Sequence, residues 1–196
     1  MRKTTYSLLM ILSLSIFIYS CSGDKKTTDE TPGEMKAMTN EEMVARGKYI
    51  VSTSGCNDCH TPKIFSEKGM EPDMSKMLSG HPSAGVLPPY DAKMVGPWIL
   101  FSPDLTACVG PWGVSYSANL TPSESGTGNW TEDQFLNAIK NGKHMGMDNQ
   151  RPIMPPMPWQ EIRNMTDDDL KSIYAFLRTI PPIDNVVPAY QPPTPM

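Results

Sequence analysis

Two cysteines and a histidine lie within five consecutive residues, as Cys56, Cys59 and His60 in the stretch GCNDCHTP. This spacing serves three kinds of chemistry: a thioredoxin-type redox pair, a structural zinc site, or covalent attachment of c-type haem. A redox pair would need a βαβ pattern around it, and zinc would need a second ligand pair; the sequence shows neither. We therefore predict one covalent haem c on both thiols, with the His60 imidazole beneath the iron. The spacing predicts a helical turn that brings these three groups to one face of the porphyrin.

A second unusual stretch, IMPPMPWQ over residues 153–160, places Met154 and Met157 three residues apart among prolines. Prolines at 152, 155, 156 and 158 exclude a regular helix or a central strand, because each lacks a backbone N–H. Core methionines usually fill gaps on helices. Methionines in so stiff a loop indicate a role other than packing.

The N-terminus predicts export and lipidation. Arg2 and Lys3 precede an apolar run over residues 8–19, which is too short to span a bilayer comfortably. The run ends in Ile-Tyr-Ser directly before Cys21, and this ending resembles the lipobox of bacterial lipoproteins. We predict a signal peptide at 1–20 and lipidation at Cys21, which places the protein in a bacterial cell envelope, at the periplasmic side of a membrane or at the cell surface. A plain secretory signal and an uncleaved anchor are the alternatives.

The rest of the chain divides into a tether and one domain. Residues 21–38 are polar and turn-prone, which predicts a flexible tether, and the folded domain is expected over 39–196. With 21 acidic against 17 basic residues, the chain lacks the basic face that a nucleic-acid partner would require.

Three segments have helical patterns, and each begins at a threonine. Thr39 with Glu42, and Thr131 with Gln134, have the spacing of a capping box. Thr166 precedes three aspartates, which are favourable at the positive end of a helix. Between residues 63 and 117 the chain has no convincing periodicity, and we expect a long irregular loop that wraps a large cofactor. The expected fold class is mainly α, with three or more helices around one haem.

These stretches together resemble the class I cytochromes c, and more closely the bacterial monohaem cytochromes related to cytochrome subunits of membrane-bound alcohol dehydrogenases. The resemblance implies that the first and last helices cross at a glycine–aromatic contact, for which Gly47 against Tyr174 or Leu177 is suited. Segment 63–117 departs from the family pattern. The resembling stretches are RGKYIVSTSGCNDCHTP, ANLTPSESGTGNWTEDQFLNAIKNGKHMG, RPIMPPMPW and MTDDDLKSIYAFLRTIPPIDNVVP.

The resemblance also implies the iron ligand opposite His60. In that family the methionine of the Met-Pro-Trp/Tyr element binds the iron, and this methionine corresponds to Met157. Met154 is the neighbouring alternative, and His81 and His144 are further candidates. Histidine with methionine is the ligand pair of electron-transfer haem, and it leaves no open position for oxygen or peroxide.

The expected function is therefore one-electron transfer to redox partner proteins by a membrane-anchored carrier that is not itself an enzyme. The alternatives are a cytochrome subunit of a dehydrogenase or oxidase complex, and a haem peroxidase or gas-binding protein. Trp130 and Arg151 are candidates for contacts with the haem propionates, whose charges need partners when buried. Cys108 is expected to be a buried, apolar residue without chemistry.

Overall fold

The computed structural model describes residues 37–193. The predictions for the signal peptide and for lipidation at Cys21 lie outside these residues, as does nearly all of the predicted tether. The proposed boundaries of the chain's segments therefore stay predictions.

The described part of the chain contains five α-helices, and three of them are the helices predicted from the sequence. Both capping boxes are present: Thr39 and Thr131 accept from the backbone N–H of Glu42 and Gln134, whose side chains bond back to the threonine N–H groups. Thr166 likewise accepts from Asp169 N–H. None of these helices is long and apolar enough to cross a membrane. In chain order they are α1 (Asn40–Thr53), α2 (Cys56–His60), α3 (Glu132–Asn141), α4 (Trp159–Ile162) and α5 (Asp167–Leu177).

Helices α1 and α5 cross at Gly47, where their backbones come very close. A Cβ atom at this position would lie 1.9 Å from the Ser172 carbonyl oxygen and 2.9 Å from Phe176 Cβ. The predicted glycine–aromatic crossing is present, but the aromatic partner is Phe176 rather than Tyr174 or Leu177. Ser172 and Phe176 are one turn apart, so both lie on the face of α5 that meets the glycine.

The hydrophobic core lies between these two helices and α3. Residues from α1, α3 and α5 contribute to it, together with one residue from the long segment between the haem motif and α3. This core is what positions α2, since Cys56 packs against it. Its buried members are Ile50, Val51, Leu78, Phe135, Ile139, Leu170, Ile173, Phe176, Leu177 and Ile180.

Segment 63–117 differs from the irregular loop that we expected, because it contains two small antiparallel sheets. The first sheet pairs β1 (Lys63–Ser66) with β2 (Gly69–Pro72), and the second contains, in this order, β3 (Leu100–Phe101), β4 (Ala107–Gly110) and β5 (Gly113–Tyr116). The strands are at most four residues long, and β4 is buried along its whole length. The alternation of apolar and polar residues by which a strand is recognised in a sequence is therefore not visible.

Candidate functional site

The short helix α2 carries both cysteines and the histidine of the sequence motif. It begins after Gly55, whose φ of 74° is left-handed and is adopted by glycine without steric cost. Cys56 and Cys59 are half-buried free thiols, and His60 is buried at its C-terminal end. The helical turn predicted from the spacing is present, and it brings the three groups together on five residues.

Lys63 and Thr61 hold the C-terminal end of this helix. The Lys63 ammonium donates to the carbonyl oxygens of Asn57 and Asp58, at 3.1 and 2.9 Å, and so binds backbone groups that the short helix leaves unpaired. The buried Thr61 hydroxyl donates to the Asn57 side chain at 2.8 Å and accepts from the N–H of Leu78 at 2.9 Å. The attachment helix is thereby connected to the core through Leu78.

The His60 ring is fixed in one tautomer. Its Nδ1 lies 2.8 Å from the carbonyl oxygen of Ala118, which can only accept, so Nδ1 carries the proton. Burial lowers the pKa of His60, although the bond to Ala118 acts in the opposite direction. The imidazole is therefore neutral at neutral pH, and Nε2 keeps the lone pair with which histidine binds metals.

The two thiols of α2 have properties opposite to those of a redox pair. Burial raises the pKa of Cys56 to about 11, and burial also raises the pKa of Cys59. Redox-active and nucleophilic cysteines instead have lowered pKa values, because the thiolate is the reactive form. These thiols are protonated at neutral pH, which opposes a thioredoxin-type role.

Met157 lies on the proline-rich loop before α4. Its side chain contacts His60 and packs against the same hydrophobic core as Cys56. Met154 is half-buried as well, but among the described residues the side chains packed on this core include Met157 and not Met154. The structure thus brings one of the two loop methionines to the histidine.

Contacts at the end of α3 hold the start of this loop. Ile153 N–H donates to the Gly142 carbonyl oxygen at 2.7 Å, and Lys143 pairs with Pro152 in an isolated antiparallel bridge. Gly142 has a φ of 63°, and a Cβ atom there would lie 2.5 Å from the Trp159 ring. The residues on both sides of Met157 are therefore anchored to α3. The Pro155–Pro156 peptide bond is cis.

The side chains at this site fit a covalent c-type haem by their chemistry. Two thiols one helical turn apart can each form a thioether, and a neutral imidazole with a fixed tautomer lies directly after them. A thioether sulfur, a soft and neutral ligand, comes from a separate element of the fold.

The two residues proposed for propionate contacts lie in different settings. The Arg151 guanidinium lies 5.3 Å from the centre of the Tyr190 ring and donates to the Pro152 carbonyl oxygen at 3.0 Å. Trp130 packs against the core, and its carbonyl oxygen accepts from the Tyr174 hydroxyl at 2.7 Å. Their roles toward propionates stay predictions.

The remaining histidines and the third cysteine occupy other environments. His81 is buried, its Nδ1 lies 2.7 Å from the Thr106 hydroxyl, and burial lowers its pKa. His144 lies in a 3-10 turn after α3 (His144–Gly146), and burial lowers its pKa too. Cys108 is buried in β4, where burial raises its pKa to about 11. A protonated, buried thiol is the apolar residue that the sequence predicted.

Sequence reasoning missed two groups that shape the site. The Ala118 carbonyl has no side-chain signature, so nothing in the sequence could reveal its bond to His60. Arg178 lies 5.2 Å from the centre of the Tyr174 ring and donates to the carbonyl oxygens of Thr127 and Gly128 at 2.9 and 3.1 Å. Its position in the last turn of a predicted helix was visible, but its bonds to carbonyl groups about 50 residues earlier in the chain were not.

Comparison with known proteins identifies relatives of one kind. The family model described as Cytochrome c matches residues 44–181. The fructose dehydrogenase cytochrome subunit of Gluconobacter japonicus is 28% identical over 170 residues, which are 86% of this chain and 27% of that protein. The cytochrome c subunit of the quinone alcohol dehydrogenase of Gluconobacter oxydans (strain 621H) is 30% identical over 138 residues, or 70% of this chain and 21% of the subunit.

A third relative is the gluconate 2-dehydrogenase cytochrome c subunit of Pantoea cypripedii, 27% identical over 146 residues, which are 74% of this chain and 25% of that subunit. The chain therefore spans about a fifth to a quarter of the length of the curated relatives it matches.

Proposed function

This chain belongs to the cytochrome c family, and we propose that it carries single electrons on one covalent haem c, with His60 and Met157 as the iron ligands. Membership in the family implies the covalent haem. Cys56 and Cys59 are the proposed attachment points. A single attachment motif means one haem and hence one electron per chain.

The observation that supports this proposal best is the fixed tautomer of His60, which leaves Nε2 able to bind a metal. Its Nδ1 proton is committed to Ala118, its Nε2 lone pair is free, and its side chain contacts Met157. When bound, haem supplies an iron that gains or loses one electron. His60 would hold that iron, and the Met157 thioether, as a soft and neutral ligand, would favour its reduced form and raise the potential.

Other residues bury the surroundings of His60 and are available to pair with the charges of the haem propionates. Thr61, directly after His60, and Leu78, which bonds to Thr61, are both fully buried, and His60 is itself only 8% exposed. Trp130 and Arg151 are proposed partners for the propionates, whose charges would otherwise be left unpaired. If both His60 and Met157 bind the iron, no position would be open to a substrate, and we therefore propose a carrier rather than an enzyme.

The proposal is tested by a potentiometric titration of the purified haem protein. We expect a reversible transition with the Nernst slope of one electron, about 59 mV per tenfold change in the ratio of reduced to oxidised protein. We also expect that carbon monoxide does not bind the reduced protein, because Met157 already occupies the position. Rapid binding of carbon monoxide, or turnover of peroxide, would instead indicate a gas-binding protein or a peroxidase.

The relatives support a second candidate, in which the chain is the electron-transfer subunit of a larger dehydrogenase. All three relatives described above are named as cytochrome subunits of dehydrogenases. Purification from solubilised membranes distinguishes the candidates. A large partner in stoichiometric amount supports the subunit, and a chain that purifies alone supports the free carrier.

We further propose that the protein is held at a membrane by lipid on Cys21, after removal of residues 1–20. The predicted tether over 21–38 would then connect the anchor to the domain that begins at residue 39. Several acyl chains, at about 0.8 kcal/mol per buried methylene, make such an anchor effectively permanent.

Replacing Cys21 with alanine is expected to move the protein from the membrane fraction to the soluble fraction of the cell envelope. The haem spectrum should not change, because Cys21 lies far in sequence from the attachment motif. Fractionation followed by haem staining measures both. Tight membrane binding by Cys21→Ala would refute lipidation at this residue.

A further inference from the structure

A hydrogen bond joins the β4–β5 hairpin to the proline-rich segment 151–158 that carries Met157, which we call the methionine loop. The Ser115 hydroxyl lies 2.6 Å from the carbonyl oxygen of Pro155, two residues before Met157. Ser115 itself is 7% exposed, so water does not compete freely for this bond. The bond joins the methionine loop to the segment in which the chain departs from the family pattern.

The neighbours of Ser115 decide which acceptor receives its hydroxyl proton. The indole N–H of Trp112 can only donate, and it lies 3.2 Å from the Ser115 oxygen. Since a serine hydroxyl has one proton, Ser115 accepts from Trp112 and donates onward. Its two acceptors are Pro155 at 2.6 Å and the Cys108 carbonyl oxygen at 3.3 Å, so the shorter bond to Pro155 takes the proton.

The C-terminal tail locks the hairpin in place. Gln191 pairs with Val114 through two backbone hydrogen bonds, of 2.8 and 3.0 Å, and the Tyr190 hydroxyl donates to the Trp112 carbonyl oxygen at 2.5 Å. A Cβ atom at Gly113 would lie 2.0 Å from the Gln191 carbonyl oxygen, so the tail lies directly on the hairpin. Ser115 therefore lies on a hairpin whose position is fixed by contacts with the C-terminal tail.

The same tail reaches the other end of the methionine loop. Tyr190 lies beneath the Arg151 guanidinium, 5.3 Å from ring centre to Arg151 Cζ. In addition to its contacts with the end of α3, the loop is thus held at Arg151 by the tail and at Pro155 by the hairpin.

We propose that Ser115 is a positioning residue for the iron ligand Met157, which it holds in place through the carbonyl group of Pro155. This inference rests on the proposed function, since it assigns Met157 to the iron. The prolines at 156 and 158 stiffen the link, so a shift at Pro155 is transmitted to the thioether. A thioether is a weak ligand, and a stronger ligand can replace it whenever the loop opens.

Imidazole is the probe, because it competes with Met157 for the iron of the oxidised haem protein. Ser115→Val and Ser115→Thr form a matched pair: both side chains are branched and suit a strand, and they differ by one hydroxyl group. We expect Ser115→Val to bind imidazole about tenfold more tightly than wild type, since an unpaired carbonyl weakens the loop. Ser115→Thr should remain close to wild type, and Ser115→Ala should behave as Ser115→Val.

Ser52→Ala is the control for loss of a serine hydroxyl elsewhere. Ser52 is exposed on α1 and donates only within its own helix, to Lys48. Equal imidazole affinities for Ser115→Val and Ser115→Thr would overturn the positioning role, even if both variants were less stable than wild type. If the wild-type protein lacks the sulfur-to-iron absorption band, the assignment of Met157 itself fails, and the inference fails with it.

Discussion

Replacing Met157 with alanine is expected to abolish the weak sulfur-to-iron absorption band of the oxidised protein and to lower its reduction potential. The band requires a thioether bonded to iron, and Met157 is the methionine that contacts His60 and packs on the core beside Cys56. Loss of the thioether removes the ligand that favours reduced iron. We expect a fall on the order of 0.1 V, a part of the roughly 0.8 V range that axial ligation spans.

Met154→Ala is the matched control for this experiment. It removes the same side chain from the same proline-rich loop, three residues earlier, and should leave both the band and the potential close to wild type. A band that survives Met157→Ala and vanishes in Met154→Ala would reverse the assignment. Absence of the band from the wild-type protein would direct attention to His81 and His144, since a histidine ligand gives no sulfur band.

The choice between these two methionines shows where sequence reasoning stops. Met154 and Met157 lie three residues apart in one proline-rich loop; Met157 has a proline on each side, and Met154 has one on a single side. The choice of Met157 rested on the family resemblance more than on this physical difference. The structure adds a further reason, because Met157 packs on the core that also receives Cys56 and contacts His60.

The sequence predicted correctly those features that depend on contacts between neighbouring residues. The capping boxes at Thr39 and Thr131 and the turn at Cys56–His60 each need residues within four positions of one another. Contacts between distant residues could not be predicted in this way. The Nδ1 bond of His60 joins it to a backbone carbonyl 58 residues away, and no side chain marks that partner.

The sheets of segment 63–117 were missed for a related reason. Their strands are short, and β4 is buried on both faces, so the alternation of apolar and polar residues is absent. The pairing of Gln191 with Val114 joins residues far apart in the chain. Six of the seven prolines in this segment lie outside the strands, and the seventh, Pro72, is the last residue of β2.

The crossing of α1 and α5 is the second place where one substitution should have a large effect. Replacing Gly47 with alanine is expected to destabilise the haem-loaded protein by about 3 kcal/mol, near the upper end for an overpacked core. The new Cβ atom would lie 1.9 Å from the Ser172 carbonyl oxygen and 2.9 Å from Phe176 Cβ. Both are parts of a packed helix, so relief requires the two helices to separate.

Two effects of opposite sign decide this outcome. Alanine is favoured over glycine in a helix interior by about 1 kcal/mol, which would stabilise α1 by itself. The steric cost at the crossing is larger, so the net change should be destabilising. Gly96→Ala is the control: a Cβ atom there meets nothing within 4 Å, and we expect a change within about 0.5 kcal/mol. Denaturant unfolding followed by the haem spectrum measures both variants, and a Gly47→Ala protein as stable as wild type would show that the helices can separate at little cost.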